Sequence, residues 1–215
     1  MFELFFLRLT KRKRMFSVPL VIIYFVLPIL SFFIYKQKSD IYEEFVSAVV
    51  LQMHVWIPML SSWWVILMFH SFFENEGNEV LYIHVRPLQF LLDYLGVFFL
   101  YSFFIVVFSL VFRFFVPYEI FVIGQLLAES LFISSAVFFM CFAVQKTGVG
   151  LLMAIAYCVY LNLFDYLKLF KFLSVFPESR GMDAPNLRLI KICIVGSMLC
   201  ILMGTVLSKF RRAYK

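Results

Sequence analysis

Two groups of residues in this sequence could carry chemistry. The first is His54, Gln125 and Glu129, polar side chains standing inside long apolar runs. A charge in a bilayer interior is costly, so such residues are rare, and they pair with one another or line a pathway. His54 lies about nine residues into its run and Glu129 about ten into its own, counted from the same side. At about 1.5 Å rise per residue both fall roughly 14 Å below one membrane surface. Gln125 stands one turn from Glu129 on the same helical face. Matching depth lets His54 and Glu129 pair as an interhelical hydrogen bond that holds a bundle together, or line a substrate pathway. The second group is a polar island, Ser71-Phe-Phe-Glu74-Asn-Glu76-Gly77-Asn-Glu79-Val-Leu81-Tyr-Ile-His84-Val-Arg86-Pro87. Its three carboxylates cannot enter lipid and must face water or a partner.

Several familiar chemistries are absent. No Gly-x-x-x-x-Gly-Lys-Ser/Thr phosphate loop occurs, and Lys146-Thr147-Gly148 lacks the preceding glycine spacing. There is no His-Glu-x-x-His zinc helix and no Gly-x-Ser-x-Gly elbow. Glu43-Glu44 is unlike the paired glutamates of membrane-embedded prenyl-protein proteases, because no Arg follows three residues later. Cys141, Cys158, Cys193 and Cys200 all lie in apolar runs without a Cys-x-x-Cys pair, and read as small lipid-phase or interface residues. No metal site, cofactor or catalytic residue is expected on this chain.

Composition dictates the elements that must position these groups. Of 215 residues 64% are hydrophobic, 15% are charged and 30 are Phe, with a mean hydropathy of +0.96. So little polar surface cannot clothe a soluble domain. The expected fold is an all-α membrane protein with six transmembrane helices, at about 15–35, 45–69, 88–112, 120–143, 149–164 and 189–207. Pro28 and Pro58 fall inside the first two spans and should kink them. Pro87 opens the third, a favoured position. Residues 1–14 are amphipathic and suit an interfacial helix before the first span. No cleavable signal peptide is evident. Between spans 5 and 6, Leu167, Phe170, Leu173 and Phe176 alternate with Lys168, Lys171 and Ser174, which suggests a second interfacial helix. The aromatics read mostly as lipid-facing and interfacial filler, and residues 208–215 as a basic tail.

The net charge of +6 is no nucleic-acid signal, since no basic stripe interleaves with stacking aromatics. It sets orientation instead. With both termini in the cytoplasm, eleven Lys and Arg lie inside and eight outside, and the dense clusters Arg8 to Arg14 and Lys209 to Lys215 carry the bias. The expected location is a cell (plasma or inner) membrane, and the island falls on the cytoplasmic side.

Glu-x-Glu-Gly-x-Glu-x-Leu followed by a Pro and a long apolar run resembles the coupling helix of the permeases of exporter-type ABC transporters, the ABC type-2 permease family. The layout is similar along the whole chain: an interfacial N-terminal helix, six spans, and a membrane-dipping element between spans 5 and 6. The motif likeness covers Glu74 to Pro87. The family often has Gly-Thr-x-Glu, whereas here Glu79 follows Gly77 after one residue. The resemblance implies a non-catalytic permease subunit that pairs with a second permease copy and two ABC ATPase subunits. ATP and Mg would bind on those ATPases. Glu74, Glu76, Gly77, Glu79, Leu81 and Arg86 would form the ATPase-coupling surface, and His54, Gln125 and Glu129 a candidate substrate pathway. The cargo would be an amphiphilic or hydrophobic peptide, lipid, glycan or drug. Two other readings compete: a non-transport membrane scaffold or immunity protein, and a membrane-embedded enzyme.

Overall fold

A computed structural model describes residues 13–37, 42–73, 87–163 and 187–213. All regular structure among them is helical: α1 Lys13–Val21, a π-helical turn Ile22–Val26, α2 Leu27–Gln37, α3 Tyr42–Phe73, α4 Pro87–Phe112, α5 Phe121–Val144, α6 Thr147–Leu163 and α7 Leu187–Ala213. Five segments are long and apolar enough to cross a membrane: Arg14–Lys36, Tyr42–His70, Leu88–Phe112, Phe121–Val144 and Leu187–Phe210. The fifth expected span, 149–164, falls on α6, a shorter apolar helix of 17 residues, which at about 1.5 Å per residue covers roughly 26 Å. That is close to the roughly 30 Å of a hydrocarbon core.

Helix ends differ from the expected spans in instructive places. α3 has 32 residues and overruns its span at both ends, because Tyr42, Glu43 and Glu44 make a good first turn and nothing in Ser71-Phe72-Phe73 breaks it. α7 carries the basic residues through to Ala213, so the start of the expected tail is helical. Pro87 is the first residue of α4, where its missing N–H costs nothing. Pro28 does not simply bend its span. The preceding turn widens into a π-helix, with Leu27 N–H donating to Ile22 O five residues back. Residues 1–12 and 164–186 lie outside the described residues, and with them the two expected interfacial helices.

α3 and α5 form the centre. α5 packs against α3, α4, α6 and α7, and α3 against α1, α2, α4 and α6. The aromatics correct the expectation of lipid-facing filler. Phe69, Phe72, Phe90, Phe138 and Phe142 are buried and meet mostly edge to face, with centroids 5.0 Å apart for Phe72–Phe90 and 5.4 Å for Phe69–Phe138. Trp64 is buried between Phe16, Tyr101 and Phe104. Rings supply large contact area and favour these tilted geometries, which suits a membrane bundle whose cohesion comes from packing rather than from escape from water.

α7 lies against α5 through a stripe of small residues. Cys193, Ser197, Gly204 and Ser208 are buried along it. A Cβ on Gly204 would come within 2.7 Å of Phe138 Cε1 and 3.4 Å of the Phe139 backbone, and one on Gly196 within 2.7 Å of Phe132 Cε2. Small residues of this kind let membrane helices approach closely. Gly204→Leu is therefore expected to destabilise the bundle by about 1–3 kcal/mol through overpacking. Gly124→Ala, where a Cβ meets open space, should be neutral or slightly stabilising. Thermal unfolding in detergent compares the two.

Candidate functional site

His54 and Glu129 meet at the α3–α5 contact. His54 Nδ1 lies 2.6 Å from Glu129 Oε2, and each side chain is 1% exposed. Either the imidazole N–H donates to the carboxylate or the carboxyl O–H donates to the ring nitrogen. Equal depth in two facing helices, legible from the apolar runs, is what brings them together. A buried pair of this kind survives only because each group answers the other, since one alone would be a stranded charge.

Further polar groups surround this pair. Gln125, one turn before Glu129, is buried on the same helix with its side-chain amide beside the Glu129 carboxylate. The Ser130 hydroxyl is buried without a hydrogen-bond partner among the described residues. Buried polar atoms without partners cost about 1–3 kcal/mol each, so such a cluster is where packing was not the sole constraint. From α7, Cys193 is buried against Ala128, the residue before Glu129.

The backbone of α3 is loosened beside the pair. Pro58 offers no N–H to the His54 carbonyl four residues earlier. Side-chain hydroxyls cross between the helices at this level. Tyr101 OH donates to Ile57 O at 2.5 Å. The Ser61 hydroxyl reaches Pro58 O at 2.6 Å and Ser130 O on α5 at 3.1 Å. This turn of α3 is thus tied to both α4 and α5. On the next level Tyr94 OH lies 3.0 Å from the Ser134 hydroxyl.

Asp93 was missed by sequence reasoning. It is 6% exposed, six residues into α4 after Pro87. Its signal was available, as a lone carboxylate within an apolar run. Among the described residues no group of three His, Cys, Asp or Glu could hold a metal ion.

The acidic island falls in 74–86, so Glu74, Glu76, Gly77, Glu79, Leu81 and Arg86 lie outside the described residues. The helix ends on either side of it are described. Phe72 and Phe73 end α3, and Phe90 stands in the first turn of α4. Phe72 and Phe90 touch each other, while Phe73 and Phe90 both reach Phe142 of α5, with centroids 5.3 Å apart in each case.

Comparison with protein-family models, curated proteins and solved structures finds no match to this chain.

Proposed function

We propose that this chain is the membrane-spanning permease subunit of an ATP-driven exporter, working with two ABC ATPase subunits and a second permease copy. In this reading α6 is the fifth of six spans and both termini are cytoplasmic. Residues 74–86 form a cytoplasmic coupling helix, with interfacial helices before the first span and between the last two. The chain itself hydrolyses nothing. ATP and Mg bind on the partner, and closure of the ATPase pair pushes on Glu74, Glu76 and Glu79.

The observation that supports the reading is the aromatic cluster that the ends of α3 and α4 share with α5. The acidic island joins those two ends in the sequence. A push on the island would reach three helices at once, because close-packed interiors transmit displacement rather than absorb it. The same α3 carries Pro58 and His54 further along. The buried polar cluster at Gln125, Glu129 and Ser130 suits a second arrangement of the bundle, in which those atoms meet cargo. The cargo is amphiphilic or hydrophobic, in keeping with walls this apolar.

Reconstitution tests the reading. Vesicles holding the chain and the ABC ATPase that co-purifies with it should hydrolyse ATP faster than the ATPase alone, and should move an amphiphilic dye against its gradient. An ATPase indifferent to the chain would argue for a scaffold. Hydrolysis of a lipid or peptide by the chain alone would argue for an enzyme.

A further inference from the structure

A cleft of about 500 Å³ opens between α2, the start of α3 and the end of α4. Ligand pockets commonly span about 300–1,000 Å³. The floor is Ser31, Phe45, Phe108, Phe112 and Val116, all buried, and the rim carries the exposed Tyr35 and Tyr42. Pro28 lines the cleft, just past the π-helical turn Ile22–Val26. Such turns interrupt a helix's regular face and are frequent at functional sites.

The interior offers nothing to a polar ligand. Tyr24 OH donates to Phe104 O at 2.9 Å and the Ser31 hydroxyl to Leu27 O at 2.8 Å. The remaining walls are rings, methyl groups and a proline. A buried polar ligand would lose its water without compensation. Hydrocarbon loses nothing, and an empty cleft would forfeit the dispersion contacts that hold such a bundle together. All three walls belong to segments of membrane-crossing length, so acyl chains are the neighbours of the opening.

The mouth indicates the headgroup. Lys36 stands near the end of α2 and Arg113 directly follows α4, while Glu43 and Glu44 are in the first turn of α3, and all four are exposed. Arg113 Nε donates to Tyr118 O at 3.0 Å, which holds the guanidinium at this end. Cations beside carboxylates complement a phosphate beside an amine. Tyr35 and Tyr42 supply the amphipathic rings that favour the interface between acyl chains and headgroups.

We infer that this cleft seats one acyl chain of a zwitterionic phospholipid, with its headgroup between Lys36, Arg113 and Glu43. Shape selects the chain, since bulk lipid is equally apolar. The site is remote from the island: the 32 residues of α3, Tyr42 to Phe73, span about 46 Å. It stands whether or not the chain works with an ATPase.

The test uses the full chain in vesicles containing phosphatidylethanolamine with a diazirine near the end of one acyl chain. After illumination, labelled peptides are mapped by mass spectrometry. Label should concentrate in residues 24–35 and 108–116. It should fall severalfold in Ser31→Phe and in Val116→Trp, each of which fills the cleft, and persist in Val107→Phe, which enlarges a lipid-exposed position of α4. Melting temperature checks that each filled variant is folded, and the wild-type label map stands independently of them. Label spread evenly over exposed helix faces, including α7, would overturn the inference. So would unchanged labelling in folded, filled variants, or equal cleft labelling by a phosphatidylglycerol probe.

Discussion

His54→Leu and Glu129→Leu are each expected to destabilise the bundle by about 3–5 kcal/mol, the range for stranding one member of a buried ion pair. The double variant should recover most of that loss. The pair is fully buried with its polar atoms 2.6 Å apart, so removing one partner leaves the other without water or counter-charge. Leucine at both positions replaces the pair with apolar side chains of comparable size, which is often neutral or better. Glu129→Gln should be milder than Glu129→Leu, because an amide still bonds a neutral imidazole. Thermal unfolding in detergent gives the coupling energy as the departure from additivity. Additive losses would mean that the contact does not hold α3 against α5. If the double variant is stable and transports nothing, the pair serves the pathway. If it is stable and transports normally, the pair is structural glue.

Glu74→Ala, Glu76→Ala and Glu79→Ala together are expected to abolish transport while ATP hydrolysis by the partner continues. Each exposed carboxylate paired with a basic group is worth about 0.2–1 kcal/mol. Three lost together amount to about 0.6–3 kcal/mol, or roughly three- to 150-fold in a docking constant. The bundle itself should be unaffected, since the aromatic feet of the island, Phe72, Phe73 and Phe90, remain. The variant should therefore melt like the parent and fail only in coupling. Normal transport by a folded triple variant would count heavily against the coupling role.

Much of this architecture was legible in the sequence, and the remainder fails for physical reasons. Apolar run lengths place α3, α4, α5 and α7 within a few residues, because the bilayer sets one length for every span. The same arithmetic of depth puts His54 opposite Glu129. The inward faces were not legible. A helix that is apolar all round carries no stripe to separate lipid from core. Phe138 and Phe103 read alike, yet the first is fully buried and the second is 62% exposed. Nothing in the sequence singles out Gly204, which is where α7 comes close against Phe138. Pro28 signals an irregularity but not its form, which is a π turn ahead of the proline and, beside it, the cleft. Asp93 was visible as a lone carboxylate, but nothing local marks it as buried.

The most direct measurement is the mass of the assembly that forms around this chain. Extracted in mild detergent through a tag on the chain and weighed by native mass spectrometry, it should contain two permease chains and two copies of an ABC ATPase. The Glu74, Glu76 and Glu79 triple variant should lose the ATPase at lower detergent or salt than the parent. A chain that emerges alone, or with partners of which none binds ATP, would contradict the proposed function.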